Sequence, residues 1–223
     1  ELIKGLNKSI GLIMTMGNIH KGHLSLIKEA EKHNDYIITS IFVNPTQFNN
    51  ENDYKSYPNT IYEDIQKLKS SNCDLLYIPS INEIYPKGLV KVKSISKYRN
   101  ILCDLNRPGH FDGVTTVVNK IFKIINPQNS YFGEKDYQQL KFIIEMVKLK
   151  KLNINIIPCP SIRDKNGMSL SSRNSNFNMY QKKIFKSLAK KISLFVKSLQ
   201  QKDLKPNLND FKNELSNIGI NKI

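Results

Sequence analysis

Short apolar runs alternate with amphipathic segments along most of this 223-residue chain, and that alternation limits its fold more than any other feature. Runs at 10–14, 36–43, 75–78, 130–132 and 154–157 are short and apolar, as strands require. Between them, segments at 24–33, 60–70, 114–125 and 138–149 carry helical periodicity. Strands that alternate with helices predict an α/β fold with a parallel sheet. In such sheets ligands bind at the carboxyl ends of the strands, so the residues just after each apolar run are the candidates for function.

The first such junction is Thr15-Met16-Gly17-Asn18-Ile19-His20-Lys21-Gly22-His23. It reads as a strand passing into a helix. Unpaired N–H groups at a helix start, and the positive end of its dipole, attract anions such as phosphate. Glycines allow close backbone approach. Imidazoles there can donate hydrogen bonds to phosphate oxygens as charge builds on them. Two histidines three apart could instead hold a metal or lie solvated in a loop. A zinc site would need more ligands, and no Cys-x-x-Cys or clustered His-Cys set appears. The His-x-Gly-His pattern resembles the nucleotide-binding signature of the class I aminoacyl-tRNA synthetase and nucleotidyltransferase superfamily.

Three further segments have matching character. Ser40 to Phe48 ends a strand with Asn44, Pro45 and Gln47; Arg107 to Val118 is followed by Tyr131 to Leu140; and Ser161 to Asp164 is followed by Gly167 to Asn174. In this order and spacing the four segments closely resemble the pantothenate synthetase (pantoate–beta-alanine ligase) family, over roughly residues 10 to 180. The resemblance implies a Rossmann-like parallel sheet with helices on both faces and ATP-dependent joining of pantoate to beta-alanine through a pantoyl-adenylate, with AMP and pyrophosphate released. It implies Mg2+ accompanying ATP, and a homodimer.

It also assigns residues. His23, with His20 and Lys135, is catalytic; the family role of His23 is proton donor, which we read as hydrogen-bond stabilisation of the pentacovalent phosphate. ATP is expected at Met16, Gly17, Asn18, Ile19, His20, Lys21, Gly22 and His23, and at Gly133, Glu134, Lys135 and Asp136. Ile162 is expected at the adenine, and Leu170, Ser171, Ser172 and Arg173 in place of a lysine-rich phosphate loop. Gln47 and Gln139 are the expected pantoate pair, since an amide offers donor and acceptor without burying charge; Gln47 would also meet beta-alanine. Asn44 is expected to orient that pocket, Met16 and Phe48 to give it apolar contact, and Gln138 to be helix surface. Glu63 and Asp64 could make second-shell contacts to magnesium, or be a first-turn acidic pair favoured by the helix dipole. No metal site built by the protein alone is expected.

The formal net charge of +15 raises nucleic-acid binding as a rival. Many of the lysines, from Lys182 to Lys222, interrupt a helical pattern of Ile184, Leu188, Ile192, Phe195 and Leu199. They read as a solvated face without interleaved aromatic platforms, so no nucleic-acid partner is expected. Cys73, Cys103 and Cys159 are odd in number and widely spaced, which suggests reduced thiols and a cytoplasmic protein; Cys73 and Cys103 flank apolar runs and are expected to be buried. No apolar run reaches a membrane span, and no signal peptide is expected. The expected division is a nucleotide- and pantoate-binding domain over 1–174 and a small, lid-like, reduced or incomplete C-terminal domain over 175–223, with helices at 180–199 and 208–215.

Overall fold

A computed structural model describes residues 7–201 and 206–220; Lys202, Asp203, Lys205 and Lys222 lie outside the described residues. Strand β1 (Ile10–Thr15) leads into helix α1 (Lys21–Ala30), and β2 (Tyr36–Ile41) into α2 (Glu51–Lys55) and α3 (Ile61–Lys69). Strand β3 (Leu75–Tyr77) precedes α4 (Ile81–Ile84), α5 (Cys103–Asn106) and α6 (His110–Ile125). Strand β4 (Asn129–Gly133) leads into α7 (Tyr137–Leu149), and β5 (Asn155–Cys159) ends the first of two compact units, residues 1–161.

The five strands form one sheet in the order β3-β2-β1-β4-β5, and every pairing is parallel. Strand β1 lies between β2 and β4, with Ile10 opposite Tyr36 and Gly11 opposite Asn129. Chain order therefore reverses at β1, which opens a crevice at the carboxyl ends of β1 and β4. Alternation along the strands divides the core. Leu12 and Ile38 pack with Val114, Val117, Ile121, Leu140 and Ile143 of α6 and α7. Ile13, Ile37 and Tyr131 pack with Leu26, Ile27 and Ala30 of α1 and Leu68 of α3. Each such fully buried aliphatic side chain contributes roughly 1.5–3 kcal/mol.

All five expected strands form, and their ends move for identifiable reasons. Strand β2 stops at Ile41 because Pro45, which has no N–H to give a sheet, opens a one-turn 3-10 helix at Pro45–Gln47. Helix α1 begins three residues before the expected 24 because His20 caps it. Helix α6 begins at His110, after Gly109 at φ +73°. Of the two cysteines expected to be buried, Cys73 is half-buried and Cys103 is exposed in the first turn of α5, where no core element among the described residues covers it; Cys159 is buried.

The second unit, residues 162–223, holds an isolated bridge between Arg163 and Ser169, a 3-10 helix at Ser172–Asn176, and helices α8 (Met179–Leu199) and α9 (Leu208–Asn217). The boundary expected at residue 175 falls inside it. On α8 the expected apolar stripe is incomplete: Ile192 and Leu199 are exposed, while Phe195 stacks on Phe211 of α9 and Phe185 on Phe177. Helical periodicity marks one face but does not say how much of it finds a partner. Among the described residues, no helix is long and apolar enough to cross a membrane.

Candidate active site

The loop after β1 turns through two successive left-handed residues, Gly17 at φ +85° and Asn18 at φ +50°. It then enters α1 through a reciprocal cap. His20 Nδ1 accepts from the Gly22 N–H at 3.1 Å, and His23 Nδ1 accepts from the His20 N–H at 3.3 Å. The two rings stack with centroids 4.0 Å apart. A backbone N–H can only donate, so neither Nδ1 carries a proton. Each neutral imidazole therefore holds its hydrogen at Nε2. Burial is the largest cause that lowers the pKa of His23, to about 3, aided by His20, Lys135 and Lys67. Burial, then Lys135 and Lys67, lower His20 as well. At neutral pH the site holds two uncharged Nε2–H donors rather than an imidazolium.

The backbone around them is already engaged. The Gly17 N–H donates to Thr15 Oγ1 at 3.1 Å, the Asn18 N–H to Asp64 Oδ2 at 2.8 Å and the Ile19 N–H to Asp64 Oδ1 at 2.6 Å. With the His20 and Gly22 amides in the cap, five of the N–H groups expected to face ATP, those of Gly17, Asn18, Ile19, His20 and Gly22, each bond a side chain of the protein. Asp64, only 1% exposed, also accepts from Thr60 Oγ1 at 3.1 Å. Asp64 does stand in the first turn of α3 beside Glu63, and from there its buried carboxylate braces the histidine loop. Lys67 adds a second tie, from Nζ to the Ile19 carbonyl at 2.8 Å. The sequence reading passed over Lys67; its spacing of three from Asp64 on one helix was the available signal.

After β2, Asn44 is buried at 1% exposure and its amide orientation is fixed. Its Oδ1 accepts from the Thr46 N–H at 3.4 Å, while its Nδ2 donates to the Gly113 carbonyl at 3.2 Å. One partner can only donate and the other can only accept, so a flip would break both. Tyr85 OH at 2.7 Å and Thr46 Oγ1 at 3.0 Å also donate to Oδ1. The remaining direction of Nδ2 points at Gln47 Oε1, 3.0 Å away. Gln47 is thereby oriented with its carbonyl toward Asn44 and its Nε2 toward Met16 Sδ at 2.9 Å. One lone pair of Oε1 and one N–H of Nε2 are thus committed within the protein, and the amide has a second of each. His110, buried in α6, holds the turn from behind, with Nδ1 2.7 Å from the Gln47 carbonyl oxygen. Phe48 packs edge-on against Tyr54 and Tyr57.

After β4, Glu134, Lys135 and Asp136 are on or near the surface, and Lys135 Nζ lies 3.2 Å from both Asp136 oxygens. The charge of Lys135 nonetheless reaches both imidazoles. A Cβ on Gly133 would meet nothing within 4 Å among the described residues. On α7, Gln139 is half-buried. Gln138, expected on the surface, is buried: it donates to the Tyr98 and Ile101 carbonyls and accepts from the Cys103 N–H, each at 2.9 Å. It clamps an irregular segment that has few backbone partners of its own, which periodicity could not reveal.

Ile162, Leu170, Ser171, Ser172 and Arg173 belong to the second unit. There the Leu170 N–H bonds the Ile162 carbonyl at 2.9 Å, and Ser171 Oγ caps the following turn by accepting the Arg173 N–H at 3.3 Å. The Ser171 hydroxyl keeps its own hydrogen as a donor. No group of three His, Cys, Asp or Glu able to hold a metal occurs among the described residues.

Comparison with known proteins places the chain in a family. A family profile described as pantoate-beta-alanine ligase matches residues 1–222. A protein named pantothenate synthetase from Francisella tularensis subsp. novicida is 46% identical over 220 residues, covering 98% of this chain and 80% of that one. A crystal structure of pantoate-beta-alanine ligase from Francisella tularensis, complexed with beta-gamma ATP and beta-alanine, superposes with a TM-score of 0.88 at 43% identity, over 98% of this chain and 82% of the other. Pantothenate synthetase from Thermus thermophilus gives 0.85 at 33% identity, over 94% and 75%.

Proposed function

The chain belongs to the pantoate–beta-alanine ligase family, and from that premise we propose how its own residues carry out the ATP-dependent condensation of pantoate with beta-alanine. In the first step the pantoate carboxylate attacks the α-phosphorus of ATP. A phosphoanhydride bond breaks, and pantoyl-adenylate and pyrophosphate form. In the second step the neutral amine of beta-alanine attacks the acyl carbon, the mixed anhydride breaks, and pantothenate and AMP leave.

The observation that carries this reading is the stacked, neutral His20–His23 pair at the switch point of the sheet. Phosphoryl and adenylyl transfer need positioning and charge stabilisation more than covalent help. Two fixed Nε2–H donors supply the first, and Lys135 adds a positive charge for the second. With its pKa held near 3, His23 acts as a hydrogen-bond donor to the phosphate and not as an acid. Gln47 presents its Nε2–H to carboxylate or hydroxyl oxygens of pantoate. The same donor suits the carboxylate of beta-alanine and leaves the lone pair of its amine free to attack. Gln139 is assigned to pantoate with it. Ser171, Ser172 and Arg173 are assigned to ATP phosphates, and Ile162 to adenine.

Magnesium enters as the companion of ATP, held by phosphate oxygens and water rather than by a protein cage; both oxygens of Asp64 are already engaged. A homodimer is consistent with the exposed apolar side chains of Leu89, Val90, Val92 and Ile95, which form the kind of surface that interfaces cover. Three free thiols fit a reducing cytoplasm.

Turnover tests the reading. AMP should appear rapidly only when ATP, pantoate and beta-alanine are all present. AMP production indifferent to pantoate would refute it.

A further inference from the structure

We propose that Lys67 is a second fixed cation of the triphosphate site, a residue the motif pattern passes over. The proposal rests on the reading of His20 and His23 as phosphate ligands. Lys67 lies in the last turn of α3, yet its Nζ reaches the histidine loop and donates to the Ile19 carbonyl at 2.8 Å, one residue before His20. One hydrogen bond suffices to tie down the loop. An ammonium has three N–H groups, and the Lys67 side chain remains 41% exposed.

Its charge is only loosely compensated. The nearest carboxylate oxygen, Asp64 Oδ1, is 3.9 Å away, and that carboxylate already accepts two backbone N–H groups and the Thr60 hydroxyl. Lys135, by contrast, sits 3.2 Å from both oxygens of Asp136. The Lys67 charge acts on both imidazoles and disfavours their protonation, so it contributes positive potential where a phosphate would meet the Nε2 donors. A compact ammonium is a suitable point charge for phosphate. Two lysines from different helices and loops would then flank the ring pair, one on the β2–β3 side of the switch point and one after β4.

Two substitutions separate charge from tethering. Lys67→Gln keeps an N–H able to bond the Ile19 carbonyl but removes the charge; Lys67→Met removes both. Pyrophosphate and MgATP binding are measured by calorimetry, with KM for ATP and for pantoate from turnover and melting temperature on the same samples. Both variants should weaken pyrophosphate and MgATP binding about tenfold or more, while the pantoate KM stays within about twofold. Lys67→Gln should melt close to the parent. Parent-like MgATP binding by Lys67→Gln, or equal losses for ATP and pantoate, would overturn the proposal and leave Lys67 as a loop tie. A parent protein that makes no AMP from the three substrates would overturn the ligase reading itself, and this proposal with it. An active parent beside an unaffected Lys67→Gln overturns only the assignment of Lys67.

Discussion

Gly113 lies so close to Thr46 that a Cβ added to it would stand 2.5 Å from the Thr46 carbonyl oxygen. Helix α6 and the turn at Pro45–Gln47 are thereby locked together, with Asn44 bonded to the Gly113 carbonyl and His110 to the Gln47 carbonyl. The orientation of Gln47 depends on this contact. Glycine inside a helix ordinarily costs about 0.5–1 kcal/mol relative to alanine. Here the sign reverses: Gly113→Ala should lower stability by about 1–3 kcal/mol through overpacking against backbone. It should also raise the pantoate KM more than the ATP KM. A Gly113→Ala protein that melts higher than the parent would show that the turn yields freely.

Asp64 should matter for the same kind of reason at the other loop. Asp64→Asn replaces one acceptor oxygen with an NH2 that faces an N–H of Asn18 or Ile19. Each buried group left unpaired costs about 1–3 kcal/mol, so the melting temperature should fall. ATP binding should weaken even though the carboxylate itself touches no phosphate in this account. Retained stability in Asp64→Asn, measured by denaturant titration, would place the brace elsewhere.

His23 sets a pH dependence whose sign follows from its lowered pKa. An unfolded-chain imidazole titrates near 6.5, whereas His23 in the fold is held at about 3. Between those values the unfolded chain binds a proton that the folded chain does not. Stability therefore rises with pH across that window; the cost is absent above pH 6.5 and grows as pH falls toward 3. His20 acts in the same direction. His23→Gln removes the titration while placing a residue at the third helical position that suits a capping box. It should flatten the acid slope of the melting temperature, keep the helix start, and slow adenylate formation about a hundred- to a thousand-fold. An unchanged slope, or an imidazolium signal for parent His23 at pH 5 by nitrogen NMR, would contradict the lowered pKa of His23.

The scaffold was legible because its central strands β1 and β2 are buried on both faces and read as apolar runs. Leu12, Ile13, Ile37 and Ile38 are each at most 3% exposed. The strand-to-helix junction at Gly17 to His23 was legible because glycine and histidine are uncommon together there and suit phosphate chemistry. What stayed hidden was polar and long-range. Asp64 lies 45 residues beyond its partner Ile19, and Gln138 lies 35 beyond Cys103. Nothing local distinguishes a buried acidic or amide side chain on an amphipathic helix from a solvated one. The polarity of Gln47 was equally out of reach, since a backbone carbonyl in another helix fixes it through Asn44.

That polarity can be tested by an isosteric change. Gln47→Glu keeps an oxygen to accept from Asn44 but replaces the Nε2 donor with a second oxygen. If the pocket reads pantoate oxygens through that donor, the pantoate KM should rise at least tenfold with the ATP KM little changed. Wild-type pantoate use by Gln47→Glu would mean that the substrate donates to residue 47.

The central claim is that pantoate is activated on phosphorus before beta-alanine takes part. Exchange of labelled pyrophosphate into ATP measures that step alone. With MgATP and pantoate, and no beta-alanine, the account predicts rapid exchange, and it predicts none with MgATP and beta-alanine alone. Exchange that requires beta-alanine, or that proceeds without pantoate, would contradict it.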